Sequence, residues 1–250
     1  MATVLCDIDG VLLHNNAPLD GACEFIARLE ESEHDYLLIT NYPSQTPQDL
    51  ANRLSGAGME VSAERIFTSA MAVGAFLARQ NGRKAYVVGE GALSHELYGL
   101  GFTLTDVDPD FVVVGETRAF NWDMIHKAAR LIAGGARFIA TNPDTAGPDF
   151  QPACGALCAS IERITGREPF YVGKPSPWIV RAALNSLNAH SEDSVFVGDN
   201  MATDILAGTQ AGMRTILVLS GVTSRADLER YPFQPNYVFA SVGQIDLAEL

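Results

Sequence analysis

TVLCDIDGVLL, residues 3–13, starts as an apolar run and then places two carboxylates, Asp7 and Asp9, directly before Gly10. Runs of this kind form the buried strands of parallel sheets. Two carboxylates so close at a buried strand end repel each other, so one must hold a proton or a cation must lie between them. The stretch therefore predicts the first strand of an α/β sheet and, at its end, a carboxylate pair that holds either a proton or a cation.

Similar apolar, β-branched runs recur along the chain and alternate with amphipathic stretches. Because the runs are apolar on both faces, they are typical of parallel strands covered by helices on two sides. The alternation predicts an α/β fold with a doubly wound, Rossmann-like parallel sheet. Strands are predicted at 3–8, 36–40, 84–89, 111–115, 137–142, 194–199, 214–220 and 236–240, and helices at 20–31, 46–58, 69–81, 121–133, 153–165, 176–189 and 203–211.

Two helix starts are readable from local chemistry. Asp20 precedes an apolar stripe and is predicted to be the N-cap of the first helix. Thr46 can cap the second helix, and Pro47 follows at the first helical position, where its missing N–H costs nothing.

Composition excludes several function classes. The 250 residues carry 17 Lys and Arg against 30 Asp and Glu, a net charge of −13. Such a surface repels nucleic-acid backbones and anionic lipid, so neither a polymeric nucleic acid nor a membrane is an expected partner. No apolar run approaches a membrane span and no leader pattern precedes the first strand, so a cytoplasmic protein is expected. Whether it is a monomer or a homo-oligomer stays open.

Four cysteines lie at 6, 23, 154 and 158. A disulfide framework would be smaller and denser in cysteine, so buried free thiols are predicted.

Polar side chains follow several of the predicted strands. Thr40-Asn41 ends the second strand, Lys174 precedes a Pro-Ser-Pro helix start, and Asp199-Asn200 ends a later strand, with Asp204 one helical turn further on. Ligands bind beyond the carboxyl ends of the strands in open α/β sheets. Oxygen ligands in this number suit Mg²⁺, which shares its coordination with substrate phosphate. The amide, the hydroxyl and the ammonium suit phosphate oxygens, and Gly10 would let the backbone approach them.

The polar strand ends also divide the chain. They fall before about residue 80 and after about residue 172, whereas the middle has its own strands, helices and core residues. We therefore expect a catalytic core of 1–78 and 173–250 with an inserted α/β domain of 79–172. In that insertion, Asn142 and Asp144 follow a strand and could reach over a substrate, although Asn-Pro-Asp is also ordinary turn chemistry.

Four ordered motifs resemble those of the haloacid dehalogenase (HAD) superfamily of phosphatases. They are D-x-D-G-V at 7–11, Thr40-Asn41, Lys174, and G-D-N-x-x-x-D at 198–204. The insertion resembles the C2-type α/β cap, and TNYPSQT, ATNPDT and YVGKPSP are similar to the NagD-like branch, a group of nucleotide and sugar-phosphate phosphatases.

The resemblance implies a role for each matching residue. Asp7 would be the nucleophile and a Mg²⁺ ligand. Asp9 would be the general acid and then the general base, with its backbone carbonyl on the metal. The other roles would be phosphate or substrate binding by Gly10, Thr40, Asn41, Lys174, Asn142 and Asp144, metal ligation by Asp199, and support of the metal's water shell by Asn200 and Asp204.

The expected function is hydrolysis of small phosphomonoesters, nucleoside monophosphates or sugar phosphates, through an aspartyl-phosphate. Two alternatives stay open: a phosphotransferase or mutase of the same superfamily, and a receiver-like signalling module phosphorylated on Asp. Receiver-like modules have about half this length. Taken singly, Asp9 and Asp204 could also be ordinary helix or turn caps.

Overall fold

The computed structural model describes residues 2–250, which form thirteen strands and eight α-helices. The strands are β1 Thr3–Asp7, β2 Leu13–His14, β3 Ala17–Pro18, β4 Tyr36–Thr40, β5 Ile66–Thr68, β6 Lys84–Val88, β7 Thr103–Leu104, β8 Phe111–Val114, β9 Arg137–Ala140, β10 Phe170–Tyr171, β11 Ser194–Gly198, β12 Arg214–Val218 and β13 Tyr237–Phe239. The helices are α1 Ala22–Glu31, α2 Pro47–Gly56, α3 Ser69–Ala78, α4 Gly91–Gly99, α5 Trp122–Ala133, α6 Cys154–Thr165, α7 Pro177–Ser186 and α8 Leu206–Ala211.

The described residues form two compact units. The first contains the chain up to Thr40 together with Pro47–Phe67 and Lys174–Leu250. The second contains Asn41–Thr46 and Thr68–Gly173. The predicted functional division, a catalytic core with an inserted cap of 79–172, stays a prediction. The compact units do not share its bounds, since residues 41–46 and α3 group with the second unit.

A six-stranded sheet, ordered β13-β12-β11-β1-β4-β5, forms the centre of the first unit. The pairs β1–β4, β1–β11, β11–β12 and β12–β13 are parallel. The chain passes from β1 to β4 on one side, and β11 later pairs with β1 on the other. The strand order therefore reverses between β1 and β11, and such a switch point leaves a crevice at the carboxyl ends of the strands.

Apolar side chains on both faces of this sheet are buried. Val4, Val195 and Ile216 pack with α1 and α2 residues in one large cluster. Leu5, Leu37 and their neighbours on the other face are equally shielded. Burial on both faces explains why the strands read as continuous apolar runs, and the predicted doubly wound α/β class is confirmed.

The second unit has its own five-stranded sheet, ordered β10-β9-β8-β6-β7, in which every pair is parallel. Its separate core joins the strands to α5 and α6. An independent sheet and core explain why the middle of the sequence repeats the alternation of the ends.

Several local expectations were wrong. Asp20 does not cap α1: Gly21, with φ 76°, occupies the N-cap position and the helix begins at Ala22. The short strands β2, β3, β5, β7 and β10 were missed, since two or three residues show no periodicity. Residues 203–205 lie in a π-helical turn, Met201–Ile205, rather than in an α-helix.

All four cysteines are free thiols, and Cys6, Cys154 and Cys158 are buried, as expected, whereas Cys23 is only partly buried. Among residues 2–250, no helix combines the length and apolar character that a bilayer crossing requires.

Candidate active site

Three buried carboxylates meet at the switch point of the first unit. Asp7 is the last residue of β1, Asp199 follows β11, and Asp204 lies in the π-helical turn. Each offers one oxygen, and these oxygens lie within 4.8 Å of one another. The three residues are only 7, 2 and 1% exposed, so water does little to screen their repulsion.

The Lys174 ammonium lies between two of these carboxylates. Its Nζ is 2.6 Å from Asp7 Oδ1 and 2.7 Å from Asp204 Oδ1. Lys174 lies in the segment between β10 and α7, and this segment brings the ammonium to the end of β1. One positive charge faces three acidic groups, which leaves the cluster with a net negative charge.

The surroundings raise the pKa values of Asp7, Asp199 and Lys174 in this cluster. Burial raises the pKa of Asp7 well above its ordinary value, against the opposing effect of Lys174. Burial, with repulsion from Asp204, raises the pKa of Asp199 to about 7. Burial lowers the pKa of Lys174, but the charges of Asp204 and Asp7 outweigh it and the pKa is raised. A further cation at this cluster, either a proton or a metal ion, would therefore be favourable.

A divalent metal fits these residues. The donor set is all oxygen, its net charge is negative, and Asp7 and Asp199 resist ionisation without a further cation. Hard oxygen donors favour Mg²⁺ or a similar ion over thiolate- or imidazole-binding metals.

Backbone N–H groups fix Asp204. Its Oδ2 accepts from the N–H groups of Asp199 and Asn200, at 3.2 and 3.1 Å. The Asn200 side chain accepts from Ala202 N at 2.9 Å and so caps the π-helical turn. The two N–H groups hold the Asp204 carboxylate in place beside Lys174.

A loop after β12 holds Asp199, and sequence reasoning missed it. Val222 N–H donates to Asp199 Oδ2 at 2.6 Å, and Ser220 Oγ donates to Gly10 O at 2.8 Å. A Cβ on Gly221 would lie 2.0 Å from Asp199 Oδ2, and one on Gly10, whose φ is +87°, would lie 2.4 Å from it. Both glycines therefore make room for the carboxylate. In the sequence, the only indication of this loop is the Ser220-Gly221 pair shortly after the strand β12.

The other residues expected in the core lie at the same sheet edge. Thr40 ends β4 and follows Ile39, the register partner of Asp7, and it is 3% exposed. Asp9 does not join the carboxylate cluster: its side chain is half exposed and forms an ion pair with Arg53 at 2.6 Å. The phosphate-binding role of Thr40 and the acid–base role of Asp9 stay predictions.

A second polar cluster lies in the second unit. Asn41 Nδ2 donates to Asp144 Oδ2 at 2.9 Å, and Asn142 Nδ2 donates to Asn41 O at 2.8 Å. Asn142 Oδ1 accepts from Asp144 N at 3.1 Å, so both ends of this fully buried side chain are engaged. The three residues hold one another in place, while their predicted contacts with substrate stay predictions.

Comparison with known proteins identifies the chain. The sequence model of haloacid dehalogenase-like hydrolases matches residues 4–103, and a HAD-hydrolase-like model matches residues 171–245. The ribonucleotide monophosphatase NagD of Escherichia coli K12 is 64% identical over 98% of each chain. The chain belongs to the haloacid dehalogenase-like hydrolase family. The resemblance to the NagD-like branch and the predicted enzyme class, phosphoric monoester hydrolase, are confirmed.

Two further comparisons support the same family. The dihydroxyacetone phosphatase of Corynebacterium glutamicum is 45% identical over 98% of this chain and 90% of its own. The solved structure of NagD from E. coli K-12 has a TM-score of 0.96 at 63% identity and 98% coverage of both chains. A likeness over the whole length confirms the expected fold, cap included, for this HAD hydrolase.

Glu116 was not expected among the polar residues of this HAD hydrolase. Burial and the charge of Asp144 raise its pKa to about 7, against the Cys154 N–H and the Asn142 amide, which lower it. Cys154 is the first residue of α6, so the carboxylate lies at a helix N-terminus where backbone donors are free. A single glutamate after a strand belongs to no sequence pattern that would have predicted its burial or its raised pKa.

Glu116→Gln should change how stability depends on pH. Because the folded pKa of about 7 lies above the ordinary 4.5, the native state binds more protons and stability falls as pH rises through that window. Glutamine does not titrate, so the variant should lose this slope, at most ~1.4 kcal/mol per pH unit. Urea unfolding of both proteins from pH 5 to 8 measures the difference. Parallel stability curves would show that Glu116 titrates normally.

Proposed function

We propose that this chain is a Mg²⁺-dependent phosphatase that hydrolyses small phosphomonoesters, nucleoside monophosphates or sugar phosphates, through an aspartyl-phosphate on Asp7. The observation that carries the proposal is the buried cluster of Asp7, Asp199 and Asp204 with Lys174 between two of its members. A divalent cation would neutralise these carboxylates, and the cation and the Lys174 ammonium would attract the substrate phosphate.

The substrate class follows from the relatives. The E. coli protein NagD, which is 64% identical to this chain, is named as a ribonucleotide monophosphatase. The C. glutamicum protein, which is 45% identical, is named as a dihydroxyacetone phosphatase. Both are phosphomonoesters of small hydroxylated alcohols. The higher identity favours a nucleoside monophosphate for this chain.

In the first chemical step, an Asp7 carboxylate oxygen attacks phosphorus and the bond between phosphorus and the ester oxygen breaks. Asp9 gives its proton to the departing alcohol oxygen. Lys174 fixes Asp7 through Oδ1, which leaves the other oxygen to attack. Attack from a carboxylate held in place needs little reorganisation.

In the second step, water attacks phosphorus of the aspartyl-phosphate. Asp9, now ionised, takes the proton from that water, and the bond between phosphorus and Asp7 breaks. Inorganic phosphate leaves, and both aspartates return to their starting states. One carboxyl group thus serves as acid and then as base.

Asp7, the Asp9 carbonyl and Asp199 would hold Mg²⁺, with Asn200 and Asp204 supporting its water shell. A bound Mg²⁺ supplies positive charge that stabilises the phosphoryl oxygens as they gain charge. Gly10, Thr40, Asn41 and Lys174 would bind the phosphate, and Asn142 and Asp144 the leaving group.

Phosphate release from a panel of nucleoside monophosphates and sugar phosphates tests the proposal. We expect turnover with Mg²⁺ and a loss of at least ~100-fold after chelation, because charge stabilisation by the ion is worth several kcal/mol. Turnover that persists in metal-free protein would refute the proposed mechanism. Added acceptor alcohol separates hydrolysis from transfer, since a phosphotransferase would form a new ester instead of inorganic phosphate.

A further inference from the structure

Asp9, the acid–base residue of the proposed reaction, forms an ion pair with Arg53. Arg53 Nη2 donates to Asp9 Oδ1 at 2.6 Å. Among the described residues 2–250, it is the one side chain hydrogen-bonded to this carboxylate. The Arg53 side chain is 18% exposed and that of Asp9 is 50% exposed. A half-exposed carboxylate has little packing to hold it, so the guanidinium is what fixes its position.

The same guanidinium is anchored at a second point. Arg53 Nε donates to Asn16 Oδ1 at 2.6 Å. Asn16 lies in the turn between β2 and β3, with a φ of 66°. Asparagine adopts this left-handed conformation more readily than most residues. One side chain from α2 therefore ties the Asp9 loop to the hairpin that follows it.

The backbone near Asp9 is fixed independently of Arg53. Gly10 N–H donates to Leu13 O at 2.8 Å, and Leu12 N–H donates to Ile8 O at 2.9 Å. Asp9 and Leu13 also form an isolated bridge. Removal of the guanidinium should therefore free the Asp9 side chain while the loop stays in place.

We propose that Arg53 is a positioning residue for the phosphatase reaction, which holds the Asp9 carboxyl where it exchanges the leaving-group proton. The inference rests on the proposed function. The contact uses Oδ1, so Oδ2 is the oxygen that exchanges the proton with substrate and water. A planar guanidinium can donate to Asn16 and Asp9 at once in a fixed geometry, whereas a lysine ammonium on a flexible stem cannot reproduce that fork.

Leaving groups of different basicity distinguish positioning from a structural role. An alkyl phosphate releases a basic alkoxide that needs the Asp9 proton, whereas p-nitrophenyl phosphate releases a stable phenolate that does not. For Arg53→Met we expect kcat/KM to fall ~10- to 100-fold for the alkyl ester and less than ~3-fold for the nitrophenyl ester, as part of a general-acid contribution is lost. Arg53→Lys should lie between Met and the wild type.

Two further variants complete the experiment. Asn16→Gly keeps the left-handed turn but removes the acceptor, so it should show a smaller loss of the same kind. Arg65→Gln breaks another Arg–Asp pair of the first unit, with Asp35 at 3.1 Å, and should leave both rates unchanged. Circular dichroism checks that each variant is folded, and Arg53→Lys and Asn16→Gly keep the comparison possible if Arg53→Met does not fold.

Equal losses on both esters would overturn the proposal, because they would indicate a general structural defect. A gain on the alkyl ester would overturn it too, since the pair would then hold Asp9 away from the reaction. Failure of the wild-type protein to hydrolyse either ester would instead refute the proposed function itself.

Discussion

Asp7→Asn should abolish phosphate release while the protein stays folded. An amide is a poor nucleophile, so no aspartyl-phosphate forms, and a loss of ~10⁴-fold or more is expected, as when a nucleophile is removed from other enzymes that form covalent intermediates. Asparagine has nearly the same shape and still accepts from Lys174 through its oxygen, so the fold should survive. Steady-state phosphate release and circular dichroism of the same preparation give both results.

Asp35→Asn is the matched control for this substitution. Asp35 is 60% exposed and pairs with Arg65 in the same unit, outside the carboxylate cluster. The control should keep its full rate. Undiminished catalysis by Asp7→Asn would exclude Asp7 as the nucleophile. In that case, acid quenching of the wild-type protein during turnover would trap the phosphate on another residue and identify the true nucleophile.

Lys174→Met should produce the largest loss of stability. The substitution keeps the apolar length of the side chain but removes an ammonium that is 2.6 and 2.7 Å from two buried carboxylates. Removing one partner from a buried ion pair costs about 3–5 kcal/mol, because the remaining charge is left uncompensated. Denaturant unfolding of metal-free protein measures the decrease, and phosphate release should fall as well.

Two comparisons sharpen this prediction. Lys127→Met removes an ion pair with Asp106 whose side chains are 47 and 46% exposed, and pairs this exposed to solvent contribute little to stability. Added Mg²⁺ should restore part of the stability of Lys174→Met, since a ligand that binds only the native state stabilises it. A Lys174→Met protein as stable as Lys127→Met without metal would show that the buried ammonium adds no more to stability than an exposed one.

Much of the first unit could be predicted from the sequence. Asp7, Asp199 and Lys174 follow strands or precede a helix start, and parallel strands bring such ends to one edge of the sheet. The acidic cluster could be anticipated for the same reason. The position of Asp9 could not, because its neighbour Arg53 is 44 residues away in the chain and nothing local indicates that contact.

Less of the second unit could be predicted from the sequence. Its existence could be predicted from alternation, but the grouping of 41–46 and α3 with it depends on packing that no motif records. Asn41 donates to Asp144 across 103 residues of sequence, and Glu116 has its pKa raised by burial. Burial depends on what the whole chain packs around a group, so a pKa of this kind cannot be derived from neighbours in sequence.

Strand periodicity and the residues at strand ends are local properties of the chain, so the α/β class, the order of the strand-end motifs and the family could be predicted from the amino-acid sequence. Which charges meet depends on folding: the Lys174 ammonium lies between Asp7 and Asp204, the 220–222 loop contacts Asp199, and Arg53 pairs with Asp9. Electrostatic energy depends on distance and burial, and both arise only when remote segments pack together.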